Sequence, residues 1–198
     1  QKRPHLNYLV NINENFARVN IVFHLSNTFV GEDTELGIIS HILTIGHNSR
    51  LQSLIRNKLN IPIKITSGHN DYDNIATYVV NIMVEPNFLH DVIKLVISEL
   101  HNIYNKGFTE EEIIRGKKGD ETDQLIFFQK PTNLMHFYGD KAMVGSDKTA
   151  DDELKHNKNF TLKKANSMAK EIFQKKRFSI LVHGHILDEN FDYIEELF

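Results

Sequence analysis

The 198-residue chain contains no cysteine, which removes disulfides, thiolate nucleophiles and cysteine-ligated zinc. A zinc site would have to be built from carboxylates and from the eleven histidines. The absence of cysteine leaves the compartment open. No apolar run approaches the roughly 18 residues of a membrane helix, so no membrane partner is expected. The start, Gln1 to Tyr8, is polar and lacks both the apolar centre of a signal peptide and an initiating Met. The chain therefore reads as a mature or excised piece of something longer. A charge excess is missing too: 23 Lys+Arg against 26 Asp+Glu leave a net charge of -3, which gives no electrostatic case for nucleic acid. The ten glycines are scattered, and neither G-x-x-x-x-G-K-[ST] nor G-x-G-x-x-G occurs. G-x-S-x-G, H-E-x-x-H and H-x-x-E-H are also absent. The last two place two histidines one helical turn apart on one metal, and nothing in this sequence does that.

What is present is ordinary globular composition, 40% hydrophobic and 25% charged, with no linker tract, no low-complexity stretch and no short repeat. One domain spanning residues 1–198 is the expectation. Residues 16–25 alternate, with Ala17, Val19, Ile21, Phe23 and Leu25 on one side and Arg18, Asn20 and His24 on the other, as a half-buried strand does. Leu36 to Ile45 is apolar nearly all round and reads as a buried helix ended by Gly46. Asn48 or Ser49 can cap the next helix, which carries Leu51, Leu54, Ile55 and Leu59 and is stopped by Pro62. Strands over 63–69 and 75–84 flank the turn formers Asn70 to Asn74 and predict a hairpin. Pro86 opens a helix with Leu89, Val92, Ile93, Val96, Leu100 and Ile103 on one stripe. Thr109 and Glu112 form a capping box for a helix running to about Gln129. Pro131 restarts a shorter helix through Phe137, residues 145–160 read as polar and irregular, Thr161 starts a last helix, and Arg177 to Val182 forms a closing strand. The sum is an α+β fold of two layers, a mixed or antiparallel sheet with helices on one face.

Few residues are candidates for chemistry. His41 lies on the buried helix, but Thr44 and Ile45 stand where a second ligand would be, so a hydrogen-bonded packing role is expected. His183-Gly-His185 can place two histidines at a strand end, although no carboxylate or third histidine is near in sequence; a strand running into a turn is the plainer reading. Asp71 and Asp73 lack the glycine and later Glu of a calcium loop and read as turn residues. Glu110 to Glu112 match a helix dipole, and the lysines of the last helix (Lys163, Lys164, Lys170 and Lys175) read as a solvated face.

From Leu36 to Gln124 the order of signatures carries a resemblance. A buried helix ends at glycine, then comes Asn48-Ser-Arg-Leu-Gln-Ser-Leu-Ile-Arg-Asn-Lys-Leu-Asn-Ile61, a hairpin, a long amphipathic helix, and Gly107-Phe-Thr-Glu-Glu-Glu-Ile113. This resembles the non-catalytic, carboxy-terminal half of the insulinase/pitrilysin family of zinc metallopeptidases, which includes the mitochondrial processing peptidases. That half reads S-R-L-x-x-x-L-R-E-K-x-G-L-x-Y, a strand pair, a helix, then G-x-T-x-x-E-L. Ser49, Arg50, Leu51, Ile55, Arg56 and Lys58 match; Asn57 replaces the Glu, Asn60 the Gly and Ile61 the Leu. The closing Phe178 to Gly184 fits the family's last strand more loosely.

The resemblance implies two homologous halves enclosing a chamber, with zinc held by the other half and none by this chain. The partner is then the catalytic half of the same protein or a separate homologous subunit, and the ligand is a peptide substrate. Arg56 matches an Arg that reaches substrate in many members, where a guanidinium could bind peptide carbonyls or stabilise an oxyanion. It is equally a surface residue snorkelling over the sheet edge. The matching Tyr position falls on Ile63, which offers no donor; one missing oxyanion donor costs about 2.7–4 kcal/mol. The member is then either a slow peptidase or a chamber that no longer cuts, acting as a structural or peptide-binding subunit. A stand-alone α+β interaction domain is the third reading.

Overall fold

Period-2 alternation builds the sheet, and a register pinned by burial holds it. In the computed structural model, which describes residues 5–26, 29, 33–72, 75–143, 145–174, 178–188 and 190–196, the strands are β1 (His5–Val10), β2 (Ala17–His24), β3 (Lys64–Tyr72), β4 (Ile75–Val84) and β5 (Phe178–Gly184). They lie in the order β1-β5-β2-β4-β3. β2 runs antiparallel to both β4 and β5, β3 and β4 form the expected hairpin, and β1 pairs parallel with β5. The sheet is therefore mixed. Ala17, Val19, Ile21 and Phe23 are buried together with Tyr78, Val80 and Ile82 of β4 and Phe178, Ile180 and Val182 of β5. Arg18, Asn20 and Val22 point to the opposite, partly exposed face.

The helices are α1 (Asp33–Leu43), α2 (Arg50–Leu59), α3 (Leu89–Lys106), α4 (Glu110–Phe128), α5 (Pro131–Met143), α6 (Ala150–Asn159), α7 (Leu162–Ile172) and a short α8 (Tyr193–Glu196). A 3-10 turn, Pro86–Phe88, leads into α3. The apolar stripe of α3 is buried throughout, and α7 buries Ala165, Met168, Ala169 and Ile172. The Thr109–Glu112 capping box is present. Ser49 occupies the N-cap position of α2, yet its side chain caps nothing. Asn60 ends α2 in the left-handed region at φ 52°, a conformation that glycine or asparagine tolerates best. That accounts for asparagine where the motif reads glycine.

Several readings need correction. Asp71, read as a turn residue, lies in β3 and pairs with Ala76 of β4. Residues 145–160 are not irregular, because α6 fills most of them. It begins with a second capping box, Thr149 with Asp152, and its buried residues are Glu153 and Asn157, so no apolar stripe announced it. β1 was missed as well: Tyr8, Leu9 and Val10 are exposed on both faces of an edge strand, which erases alternation. α5 continues to Met143, beyond Phe137. Asp73, Lys175 and Arg177 lie outside the described residues, as does the side chain of Asp71.

Candidate functional site

α1 is the helix on which a metal motif would sit, and its packing shows what it does instead. Leu36, Ile38, Ile39, Ile42 and Leu43 are completely buried. His41 turns to α4, where its Nε2 lies 3.2 Å from Asp123 Oδ2 with the imidazole only 10% exposed. Burial pushes its pKa down and Asp123 opposes that shift. The helices come close here because residue 119 is glycine; a Cβ there would sit 2.5 Å from His41 Nδ1. The pair borders a cavity of about 460 Å³, whose wall includes Arg115 and Lys118. One imidazole and one carboxylate do not make a zinc site. Among the described residues no three His, Cys, Asp or Glu side chains converge as a metal-ligand group. His41 is thus the hydrogen-bonded packing residue expected of it.

Polar pairing continues along the inner face of α1. Ser40 Oγ lies 3.0 Å from the hydroxyl of the fully buried Tyr78, which donates to Ser67 Oγ at 3.0 Å. Burial pushes the Tyr78 phenol up to about 12, so it stays neutral and ties α1 to the β3–β4 hairpin.

α2 presents two arginines with opposite fates. Arg50 is a clamp: its Nε donates to Glu99 of α3 at 2.5 Å, and its Nη1 donates to the Gly107 carbonyl at 3.2 Å and to Glu112 of α4 at 3.3 Å. The S-R-L arginine is therefore a structural hub joining three helices. Arg56, one and a half turns on, is exposed. Among the described residues its guanidinium has no hydrogen-bond or ion-pair partner. Its carbonyl accepts the Asn60 N–H that closes the helix, at 3.0 Å. Ile63 is partly buried against the core, so its side chain presents no polar group.

Sequence reasoning missed a polar cluster where α1, α4, α5 and α6 meet. Asp120 Oδ2 accepts from Gln124 Nε2 and Asn157 Nδ2, each at 2.8 Å. Thr34 donates to Glu153 at 2.8 Å. Lys164 reaches buried Glu35 at 2.8 Å, so this lysine belongs to the cluster and not to a solvated face. Lys141 lies 3.7 Å from both Asp33 and Glu153. Desolvation raises the Asp120 pKa to about 6; Asn157 opposes this, and Asp123, Glu35 and Glu153 add to it. The acidic first turn of α1 and the first-turn capping box of α6 were the available signals. Among the described residues His183 and His185 meet no third metal ligand; β5 ends at Gly184, φ 106°, where a Cβ would lie 2.4 Å from the Phe16 carbonyl oxygen.

Fold and site together define a two-layer α+β domain whose first helix is packed as core and carries no ligand set. Residues 1–119 match the family model described as the peptidase M16 inactive domain. The chain belongs to that family. It is 23% identical over 155 residues to an uncharacterized zinc protease of Streptomyces coelicolor, covering 78% of this chain and 34% of that protein. A peptidase M16 inactive domain from Pseudomonas fluorescens superposes with a TM-score of 0.80 at 12% identity, over 95% of this chain and 45% of that one. A chain of complex III from Candida albicans does so with a TM-score of 0.79 at 12% identity, over 98% and 49%. The chain thus spans between a third and a half of these relatives, and the two structural likenesses show the fold.

Proposed function

We propose that this chain is the non-catalytic half of a zinc metallopeptidase and forms one wall of a peptide-binding chamber whose zinc lies on the other half. The observation that carries this reading is α1, a helix given over to core packing in a fold whose family model is the inactive domain. Among the described residues no side chains converge to fit a zinc ion, and in this reading the metal lies on a second half, on the same polypeptide or on a homologous subunit. Within this reading Arg56 is the group that reaches substrate. A guanidinium held on a helix, exposed and without an internal partner, is free to donate to peptide carbonyls. Ile63 adds no donor beside it. The test is Arg56→Ala in the particle containing both halves: kcat/KM for peptide cleavage should fall about 100–1,000-fold with zinc content unchanged. Unaltered kinetics would remove Arg56 from the substrate path.

A second reading, an inactive structural or peptide-binding subunit, is favoured by Ile63 and by the likeness to a complex III chain. Zinc content and intact mass of the native particle separate the two. A particle without zinc that binds peptide without cutting it would establish the second.

A further inference from the structure

The cavity of about 460 Å³ between the end of α1 and α4 falls in the size range of small-molecule sites, about 300–1,000 Å³. Its wall is cationic. Arg115 and Lys118 stand at i and i+3 on one face of α4, and both are exposed. Among the described residues neither side chain has an ion-pair or hydrogen-bond partner. His47 joins them from the turn between α1 and α2. The one carboxylate on the wall, Asp123, is engaged by His41 at 3.2 Å and pairs with neither cation.

Open hydrogen-bond donors accompany this charge. The cavity borders the start of α2 at Asn48 and Ser49. Among the described residues the amides of Arg50, Leu51 and Gln52, the first three of α2, have no acceptor. An N-cap serine ordinarily supplies one, but Ser49 caps nothing although it is only 1% exposed. Its hydroxyl reaches Gln52 Oε1 at 3.5 Å, a contact at the edge of hydrogen bonding and easily given up. A buried hydroxyl and three open amides, sharing a cavity with two unneutralised cations, form a donor set that lacks its acceptor.

We propose that this cavity binds a phosphate-bearing ligand, either inorganic phosphate or the phosphate group of a small phosphomonoester. Two cations, a helix start and a hydroxyl supply more donors than the two oxygens of a carboxylate fill. They suit the acceptor oxygens and near-double charge of a phosphate. Ile45, exposed on the same wall, offers an organic remainder an apolar surface. The site stands whether or not the chain is part of a peptidase.

Equilibrium dialysis of the native protein against labelled inorganic phosphate, in low salt, should show saturable binding. Unlabelled glycerol 3-phosphate should compete for it, and acetate should compete at least about tenfold less well. The double variant Arg115→Gln with Lys118→Gln should weaken binding about 100-fold. Circular dichroism should not change, because neither side chain holds a partner. Lys130→Gln with Lys163→Gln removes the same charge from exposed positions elsewhere and should leave the Kd within about twofold. Glycerol 3-phosphate competing better than unlabelled phosphate would name a phosphomonoester as the occupant, and the reverse order the ion itself; either sustains the site. Absence of saturable binding, acetate competing as well as phosphate, undiminished binding in the cavity variant, or an equal loss in the control variant would each overturn it.

Discussion

α3 and α7 lie on the sheet through unbroken apolar stripes, Leu89 to Ile103 on one and Ala165 to Ile172 on the other. α6 is attached differently: the residues it buries are Glu153 and Asn157, and its neighbours answer with Thr34, Lys117 and Asp120. The first pair is held by a non-directional force proportional to area. The second attachment is held by partners that must each be present and correctly placed, because a buried polar atom left alone costs about 1–3 kcal/mol. One region should therefore yield gradually to substitution and the other abruptly.

The largest effect should come where the regions are tied together. Arg50→Ala leaves Glu99 and Glu112, both under a fifth exposed, without their shared cation. Unfolding free energy from urea titration should drop by about 3–5 kcal/mol. Arg50→Lys should recover only part of that, because an ammonium cannot span two carboxylates and a carbonyl as the planar fork does. Full recovery with lysine would mean that charge alone, not geometry, holds the three helices.

The polar attachment is also where pH acts. Asp120 titrates near 3.8 when unfolded and at about 6 when folded. Between those values the folded state keeps a proton that the unfolded state has released. Stability from this group therefore falls as pH rises from about 4 to about 6, then stays at the lower level, a span worth about 3 kcal/mol. Asp120→Asn keeps an acceptor for Gln124 and Asn157 but cannot ionise. It should be more stable than the parent at about pH 8, with the gap closing toward about pH 4. A gap independent of pH would place the cost in shape and not in charge. The smallest effect is at the entry to α6, where Thr149→Ala removes one side of a capping box and should lower stability by about 0.5–2 kcal/mol. Faster amide exchange confined to 150–159 would mark it as local.

The same division governed what could be read without coordinates. β2, β4, α3 and α7 announce themselves because apolar periodicity is their means of attachment. α6 was hidden for the opposite reason, since Glu153 and Asn157 look like solvent residues until Thr34 and Asp120 are seen opposite them. β1 escaped because an edge strand needs no buried side. His41 was legible as a packing residue, but its partner Asp123 lies 82 positions away along another helix. Arg50 belonged to the recognised motif, while its task, bridging Glu99 and Glu112, depends on contacts that only the folded chain assembles. Arg56 stands out by its place in the motif and, among the described residues, by a guanidinium without a partner.

One further consequence follows from strand order. β5, near the end of the chain, inserts between β1 and β2, near its start. During synthesis the ribosome must therefore deliver residue 184 before the sheet can close. Until then β1 has no neighbour, and β2 shows an open row of amides and carbonyls on its inner edge. A polypeptide halted after residue 119 would hold the whole stretch that matches the family model and still be unable to finish its sheet. Such a nascent chain exposes unpaired strand edges, and the long loop closures involved favour slow completion of the sheet.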